Sequence, residues 1–577
     1  MLEFNPLPTF RPPIMGSKYV VVSGHYLATM AGMRILEKGG NVVDAGVAVG
    51  LCINVLQPDM TNLGGVAPII LSLAPSREVI TISGLGRWPK AATLEEILRR
   101  GGDISGGILA TVTPSALDAW IQALARYGTM PFSEVAAPAI ELAEHGFAMN
   151  RFLYDNLNRN AEHLAQIPST REVFLSRGRV PLVGERLVQG NLARTLRLLV
   201  EAESGSASRQ AGLQAIRDLF YRGDLARRMV AFTQQIGGLL SLDDLAGFEA
   251  RVEPPVRTSY RGYEVYACGP WCQGPVALET LNILEGYDIP SYPQNSAPVL
   301  HLIVEALKAA FADRHAFYGD PDFVNVPLDG LLSKAYAAAW RGRIRPDRAA
   351  PEMPEPGDPW AHQRAAAKAP VPGRPVPAPG PEVADTSYVC VMDRDGNIFS
   401  ATPSDGVLDA PVIPGLGIIV STRGRQSWVD ANHPSCVAPG KRPRLTPSPG
   451  LVMKDGRPFA PYGTPGHDVQ PQAMVQMLLN IIDYGMDPQE AVEAPRVATY
   501  SFPMSVHPHS YSPGVVRAEA RIPETAIEML GRLGHKMEVW PEWSPKAGAL
   551  STITLDPQAG ILTGAADPRR LAYAIGW

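Results

Sequence analysis

Thr386 is the residue whose position most suggests chemistry, because it begins a predicted strand directly after a proline-rich stretch. Residues 351–381 contain ten prolines, and such a stretch forms neither a helix nor a central strand. If the chain is cut before Thr386, that one residue carries a hydroxyl nucleophile and a free α-amino group. The amine, with a pKa of roughly 8, can act as general base for the hydroxyl. A threonine at a strand start is ordinarily only a β-former, so the pattern alone leaves both interpretations open.

Other chemical motifs are missing from the sequence. It has no Walker loop, no HExxH, no Gly-x-Ser-x-Gly and no paired CxxC. Cys268 and Cys272 lack a second ligand pair, which favours packing over metal binding. We therefore expect neither a metal nor an organic cofactor.

Composition narrows the classes of partner. The 577 residues include 52 basic and 57 acidic side chains, a net charge of -5, which argues against a nucleic-acid partner. The longest apolar run, Val42–Leu56, is interrupted by Asp44 and Asn54, so no membrane span is expected. The first residues have no basic segment followed by an apolar one, and the five cysteines are few and odd in number. Both features favour a cytoplasmic protein with reduced thiols.

The elements that would position Thr386 divide into a helix-rich part and a strand-rich part. Apolar spacing before the proline-rich stretch predicts helices and one pair of strands joined by a turn at Pro75-Ser76. The helices are Tyr26–Lys38, Asp44–Val55, Leu117–Tyr127, Asn191–Glu201 and Ala297–Phe317, and the strands are Val66–Leu73 and Glu78–Ile82.

After the proline-rich stretch the pattern is that of strands and turns. Ser387–Met392 and Ile398–Thr402 flank the turn Asp393–Asn397, which predicts a hairpin. Further strands are predicted at Gly417–Thr422 and Gly450–Met453, and a helix at Gln472–Tyr484 is expected to pack on the sheet. This order favours a layered α+β architecture.

Eight sequence blocks, in order, resemble the γ-glutamyltransferase family of N-terminal nucleophile hydrolases over almost the whole chain. They are HYLATMAGMRILEKGGNVVDAGVAVG (25–50), NLGG (62–65), YRGYEVYACGP (260–270), ADRHAFYGDPDF (312–323), DTSYVCVMDRDGN (385–397), KRPRLTPSP (441–449), YGTPGHDVQPQ (462–472) and ADPR (566–569).

The resemblance implies a four-layer αββα sandwich built from two chains of one precursor. Cleavage is then expected between Asp385 and Thr386, giving a large chain of residues 1–385 and a small chain of residues 386–577. The two chains would form a heterodimer within one fold, and the stretch 351–381 would become the mobile tail of the large chain. Assembly beyond that pair is left open.

The resemblance also implies catalytic roles for four residues. Thr386 matches the family's nucleophile, and Ser404 falls where the family has a threonine that hydrogen-bonds it. Gly466 and His467 occupy the Gly-Gly pair whose backbone N–H groups form the oxyanion hole. His467 replaces the second glycine, which adds an imidazole and restricts φ.

The substrate-reading residues depart from the family. Arg87 lies two residues out of register with the arginine that clamps the substrate α-carboxylate. The neutral Gln426 stands at the acidic position that reads the α-ammonium group. Gly406, beside Asp405, replaces an asparagine, and Leu445-Thr446 replaces a pair of serines. The segment between Gln426 and Lys441 is also shorter than in members with a lid over the site.

We therefore expect a self-processing N-terminal-threonine amidohydrolase or acyltransferase acting on a small-molecule amide, with an altered acyl-donor pocket and an acyl group such as glutaryl. One alternative is a true γ-glutamyl hydrolase or transferase acting on glutathione. Another is a non-catalytic binding protein that keeps the fold.

Overall fold

The computed structural model describes residues 9–74, 76–363, 372–373, 376–378 and 386–577. Asp385, on one side of the predicted cleavage site, lies outside the described residues, as do Pro75 of the predicted turn and much of the proline-rich stretch. In the part of that stretch that is described, Ala378 forms an antiparallel bridge with Tyr511.

Two antiparallel seven-stranded sheets form the centre of the fold. In spatial order, the first sheet contains Ile14–Gly16, Ile561–Ala566, Ser551–Asp556, Arg457–Gly463, Gly450–Lys454, Tyr263–Ala267 and Val256–Tyr260. The second contains Tyr573–Gly576, Tyr19–Ser23, Val389–Asp393, Ile398–Ala401, Ile69–Ser72, Val79–Ile82 and Val252–Glu253. Each sheet thus combines strands from before and after Thr386.

Three apolar layers hold the sheets and helices together. Side chains such as Val22 and Cys390 of the second sheet meet Leu451 and Ile553 of the first, so the two sheets pack face to face. Helices cover the outer face of each sheet. The arrangement is the expected αββα sandwich, in which alternate residues of each strand face opposite layers.

The remaining elements surround this sandwich. A smaller sheet contains Val497–Thr499, Val515–Glu519 and Lys536–Trp540, and a short pair joins Phe147–Ala148 with Arg186–Leu187. The helices are Tyr26–Glu37, Val42–Leu56, Leu94–Arg99, Ala116–Tyr127, Phe132–His145, Arg151–Arg159, Ala161–Ala165, Pro168–Phe174, Gly190–Ser204, Arg209–Tyr221, Asp224–Gln235, Leu242–Ala246, Gly274–Leu284, Ala297–Phe317, Leu328–Leu331, Lys334–Arg341, Gln470–Ile482, Pro488–Glu493 and Glu524–Arg532. Within the described ranges, no helix combines the length and apolar character needed to cross a membrane.

Most predicted elements are confirmed to within a few residues, and one is wrong. The segment Gly417–Thr422 is extended but is not a strand. Its backbone groups bond elsewhere: the Ile413 N–H donates to the Ile418 carbonyl (2.7 Å), and the Ile419 N–H donates to Asn62 Oδ1 (3.1 Å). A tight turn and a side chain therefore take the hydrogen bonds that a neighbouring strand would have made.

Candidate active site

The hairpin that follows Thr386 brings Thr386 and Ser404 together. Val389 pairs with Ala401, and the same antiparallel register extended beyond the strands puts Thr386 opposite Ser404. The Ser387 N–H donates to the Pro403 carbonyl (2.9 Å), which continues the pairing. Thr386 Oγ1 lies 2.8 Å from Ser404 Oγ, and both side chains are buried. The two hydroxyls are thus hydrogen-bonded in the structure.

The glycine-rich entry at residues 62–65 fixes the backbone of Ser404. Val66 and Ser404 exchange backbone hydrogen bonds of 3.2 and 2.9 Å. Gly65 lies so close that a Cβ atom there would stand 2.3 Å from the Ser404 carbonyl oxygen. A side chain at residue 65 would therefore displace Ser404, so glycine is required by the close approach.

Arg423 completes a buried network around Ser404. Arg423 Nη2 donates to Ser404 Oγ, and Arg423 Nε lies 3.0 Å from Asp405 Oδ1. Ser421 Oγ donates to the other Asp405 oxygen (2.5 Å). A guanidinium group only donates hydrogen bonds, so Ser404 Oγ accepts from Arg423. Ser404 keeps its own hydrogen and a second lone pair, so either hydroxyl of the Thr386–Ser404 pair can be the donor.

Sequence reasoning did not single out Arg423, although Asp405 was predicted as a substrate residue. The relevant signal was the charged string Arg423-Gly424-Arg425 at the end of an apolar segment. Residues Arg423–Gln426 form a short 3-10 turn and are all buried. Since arginine is usually exposed, burial of two arginines in one turn indicates a structural or functional role.

The two predicted oxyanion residues form a tight turn. Gly466 has φ of 128° and His467 has φ of 50°, so the histidine adopts the left-handed conformation that usually favours glycine. Pro465, just before this turn, lines a small cavity of about 20 Å³ together with Thr386 and Arg570. The turn and the nucleophile candidate therefore adjoin the same cavity.

Gln273, a residue that the sequence did not indicate, connects this turn to another predicted site segment. Its Nε2 donates to the carbonyls of Thr446 (2.9 Å) and His467 (2.7 Å), and its Oε1 accepts from Arg314 Nη1 (2.9 Å). Arg314 also pairs with the buried Asp468. Burial raises the pKa of Asp468, but Arg314 and hydrogen bonds from Ser505 hold it below its ordinary value.

Gln426 and Thr446, both predicted to read the substrate, bind each other. Gln426 Nε2 donates to Thr446 Oγ1 (2.9 Å), and the Thr446 N–H donates to Gln426 Oε1 (3.1 Å). Leu445 packs in a buried apolar cluster that includes Leu85 and Trp271. Cys268 and Cys272 belong to the same cluster. Leu445 and Thr446 therefore carry no charge, and we call these two residues together with Gln426 the substrate wall.

Arg87 and Gly406 make their contacts with residues other than Thr386 and Ser404. Arg87 is half-buried, and burial together with the neighbouring Arg251 and Arg442 lowers its pKa. The Gly406 backbone packs against residue 59, where a Cβ atom would lie 2.0 Å from the Asp59 carbonyl oxygen. Arg87 in a carboxylate clamp stays a prediction, and Gly406 offers only backbone groups.

One cluster in the described part of the chain has the composition of a metal site. His301, Glu305 and His535 are buried and bring possible ligand atoms close together. However, Glu305 pairs with Lys308 at 2.7 Å, and the two histidines share a hydrogen bond of 2.9 Å. These contacts already satisfy the groups that a cation would need.

Comparisons with known proteins agree with this geometry. A sequence model described as gamma-glutamyltranspeptidase matches residues 28–577. The chain is 35% identical to the glutathione hydrolase-like YwrD proenzyme of Bacillus subtilis, covering 98% of this chain and 99% of that protein. It is 36% identical to the acylase ACY 1 proenzyme of a Pseudomonas species, covering 96% and 93%. The crystal structure of cephalosporin acylase from Bacillus halodurans superposes with a TM-score of 0.85 at 29% identity, covering 100% of this chain and 99% of that one.

Proposed function

The chain belongs to the gamma-glutamyltranspeptidase family, and on that basis we propose that Thr386 is the nucleophile of a self-processing amide hydrolase or acyltransferase. The observation that carries this assignment is the 2.8 Å hydrogen bond between Thr386 Oγ1 and Ser404 Oγ at the start of the hairpin. Cleavage of the bond between Asp385 and Thr386 gives chains of 385 and 192 residues. These stay together as a heterodimer, because both sheets contain strands from each chain.

The reaction of the processed enzyme follows from the groups on Thr386. Thr386 Oγ attacks the amide carbonyl while its own α-amine takes the hydroxyl proton. The C–N bond then breaks, the leaving amine receives that proton, and the acyl group remains on Oγ as an ester. Water attacks the ester, releases the acid and restores the hydroxyl, and an amine acceptor in place of water completes a transfer. The N–H groups of Gly466 and His467 stabilise the oxyanion, at about 3 kcal/mol for one such donor.

The altered substrate wall supports an acyl donor other than a γ-glutamyl compound. Gln426 is neutral and bonded to Thr446, and Leu445 is apolar, so these positions attract an α-ammonium group less than a carboxylate would. The similarity to the Pseudomonas acylase is consistent with this. The rival is a glutathione hydrolase, for which the Bacillus subtilis relative is named. Turnover of a γ-glutamyl anilide, with and without a dipeptide acceptor, separates the two.

We place the reaction in the cytoplasm.

The test of the nucleophile is the intact mass of the purified protein and of two variants. We expect two fragments from the wild type, with threonine at the new N-terminus, and one uncut chain from Thr386→Ala. Ser387→Ala is a matched control that removes the neighbouring hydroxyl. In the described residues, Ser387 Oγ makes no hydrogen bond, so this variant is expected to be cut. A wild-type chain that stays whole after prolonged incubation would sink the proposal and favour a binding protein.

A further inference from the structure

Arg444 is a buried cation without a balancing anion in the described part of the chain. Its side chain is 1% exposed. Its Nη1 donates to the Arg314 carbonyl (3.0 Å), while its Nε and Nη2 find no acceptor among the described residues. Burial and the neighbouring Arg314 lower the pKa of Arg444 and Asp468 raises it, but a guanidinium group keeps its charge at any ordinary pH. Because leaving a buried charge unpaired is costly, this arrangement indicates a place for an anionic ligand.

The surroundings of Arg444 supply aromatic rings and a second cation. The guanidinium lies 4.7 Å from the ring centre of Trp428, which is stacked between His433 (3.9 Å) and His509 (3.7 Å). Burial lowers the pKa of His509 to about 3 and the pKa of His433 well below its usual range, so both rings are neutral at pH 7. Arg314 is already paired with Asp468. One positive charge therefore remains in excess.

The two unpaired N–H groups have the geometry of a carboxylate site. Nε–H and Nη2–H point to the same side of the planar guanidinium, and together they form the fork that binds both oxygens of a carboxylate. The remaining nitrogen, Nη1, is the one held by the Arg314 carbonyl. The protein thus fixes the far edge of the group and leaves the bidentate edge for a ligand.

Arg444 also lies beside the residues of the proposed active site. It precedes Leu445 and Thr446, and Gln273 ties Thr446 to the oxyanion turn at His467. Gln426, the partner of Thr446, is two residues from Trp428, on which the Arg444 guanidinium lies. The two segments that hold Arg444 are thus the segments that carry Gln426 and Thr446, the residues predicted to read the substrate.

We propose that Arg444 binds a carboxylate at the far end of the acyl group, so that the substrate is a mono-amide of a dicarboxylic acid. This inference rests on the proposed function and names its substrate class. It assigns the carboxylate to a residue other than Arg87, whose charged neighbours Arg251, Arg442 and Asp320 lie in a different group. A glutaryl amide has both the scissile carbonyl and the required terminal carboxylate.

The test compares two anilide donors that differ in one group. Glutaryl p-nitroanilide carries the terminal carboxylate, and its carboxamide analogue has the same shape without the charge. For wild type we expect a higher kcat/KM with glutaryl. For Arg444→Gln we expect that preference to fall by about 10- to 100-fold, as for a lost hydrogen bond to a charged group, with a smaller loss for the carboxamide donor. Arg343→Gln is the matched control, since Arg343 also lies over a tryptophan ring (3.9 Å from the centre of Trp340) but is exposed.

Three outcomes would overturn the inference or separate it from the proposed function. Equal losses on both donors in Arg444→Gln would mean a merely structural role. If Arg444→Gln does not fold, inhibition of the wild type decides: glutaramate, which keeps one carboxylate, should inhibit more strongly than the diamide glutaramide, which has none, and equal inhibition refutes the carboxylate site. Failure of the wild type to cut itself at Thr386 is seen by mass, before any donor is added, and refutes the proposed function instead.

Discussion

Ser404 offers the sharpest test of how Thr386, the proposed nucleophile, is held. Arg423 Nη2 donates to Ser404 Oγ, and Ser404 Oγ lies 2.8 Å from Thr386 Oγ1. Ser404 Oγ accepts from the guanidinium and is therefore itself held in place, and it holds Thr386 Oγ1 through the hydrogen bond between the two hydroxyls. Removing the Ser404 hydroxyl should therefore leave the Thr386 side chain present but unoriented.

The magnitude follows from the hydrogen bonds that Ser404→Ala removes. A hydrogen bond to a group that becomes charged contributes about 1.5–3 kcal/mol, so self-cleavage and turnover should slow by about 10- to 100-fold. The same change takes from Arg423 Nη2 the acceptor that Ser404 provides, and a lost buried partner costs about 1–3 kcal/mol of folding stability. Ser404→Thr keeps the hydroxyl and should retain most of the activity.

Two assays separate these effects. The cleavage rate is read from intact mass at successive times after rapid purification, and the processed fraction is then tested for turnover of an amide donor. Urea unfolding of each variant measures the stability change independently. If Ser404→Ala cuts itself and turns over at the wild-type rate, the hydrogen bond between Ser404 and Thr386 has no role and the reasoning is refuted.

Two further predictions concern buried charges. Asp405 lies 3.0 Å from Arg423, and both groups are fully buried. The variant Asp405→Asn removes this carboxylate partner and should therefore lower the free energy of unfolding by about 3–5 kcal/mol. Urea unfolding measures the change. Burial raises the pKa of Asp313 from 3.8 to about 6, even though Tyr336 and Trp340 donate hydrogen bonds to it. Because the pKa of Asp313 is higher in the folded protein than in the unfolded chain, the protonated carboxyl contributes its full stability below about pH 4. As the pH rises to about 6, the free energy of unfolding falls by at most about 3 kcal/mol on account of this group. Asp313→Asn should flatten the unfolding free energy over that window, and an unchanged slope would contradict the assignment.

The local elements could be predicted from sequence, because their signals are local. The alternation of Ser387–Met392 and Ile398–Thr402 around a turn predicts a hairpin, and its register places Thr386 opposite Ser404. Gly417–Thr422 has the same apolar composition as a strand, but no neighbouring strand among the described residues takes its hydrogen bonds. Composition indicates which backbone prefers to be extended, and only the tertiary fold decides whether it is paired.

The long-range polar contacts could not be predicted, because they join residues with no local pattern. Gln273 meets Thr446 and His467 across more than 170 residues of chain. The sequence predicts that Arg423 and Arg444 are exposed, because charged residues usually are. Both are buried in the structure. The groups that surround them come from distant parts of the chain, which only the folded structure reveals.

The position of Thr386 explains how a cut chain can keep a precise site. Strand Val389–Asp393 lies inside the second sheet, between Tyr19–Ser23 and Ile398–Ala401. The proposed cleavage before Thr386 would therefore release a chain end whose next residues are held by hydrogen bonds on both sides. The new amine cannot move far from the hydroxyl pair, because Ser387 remains bonded to the Pro403 carbonyl. The contacts that hold Thr386 for its own cleavage are thus the contacts that hold it for an external amide, which is why variants of Ser404 should slow both reactions together.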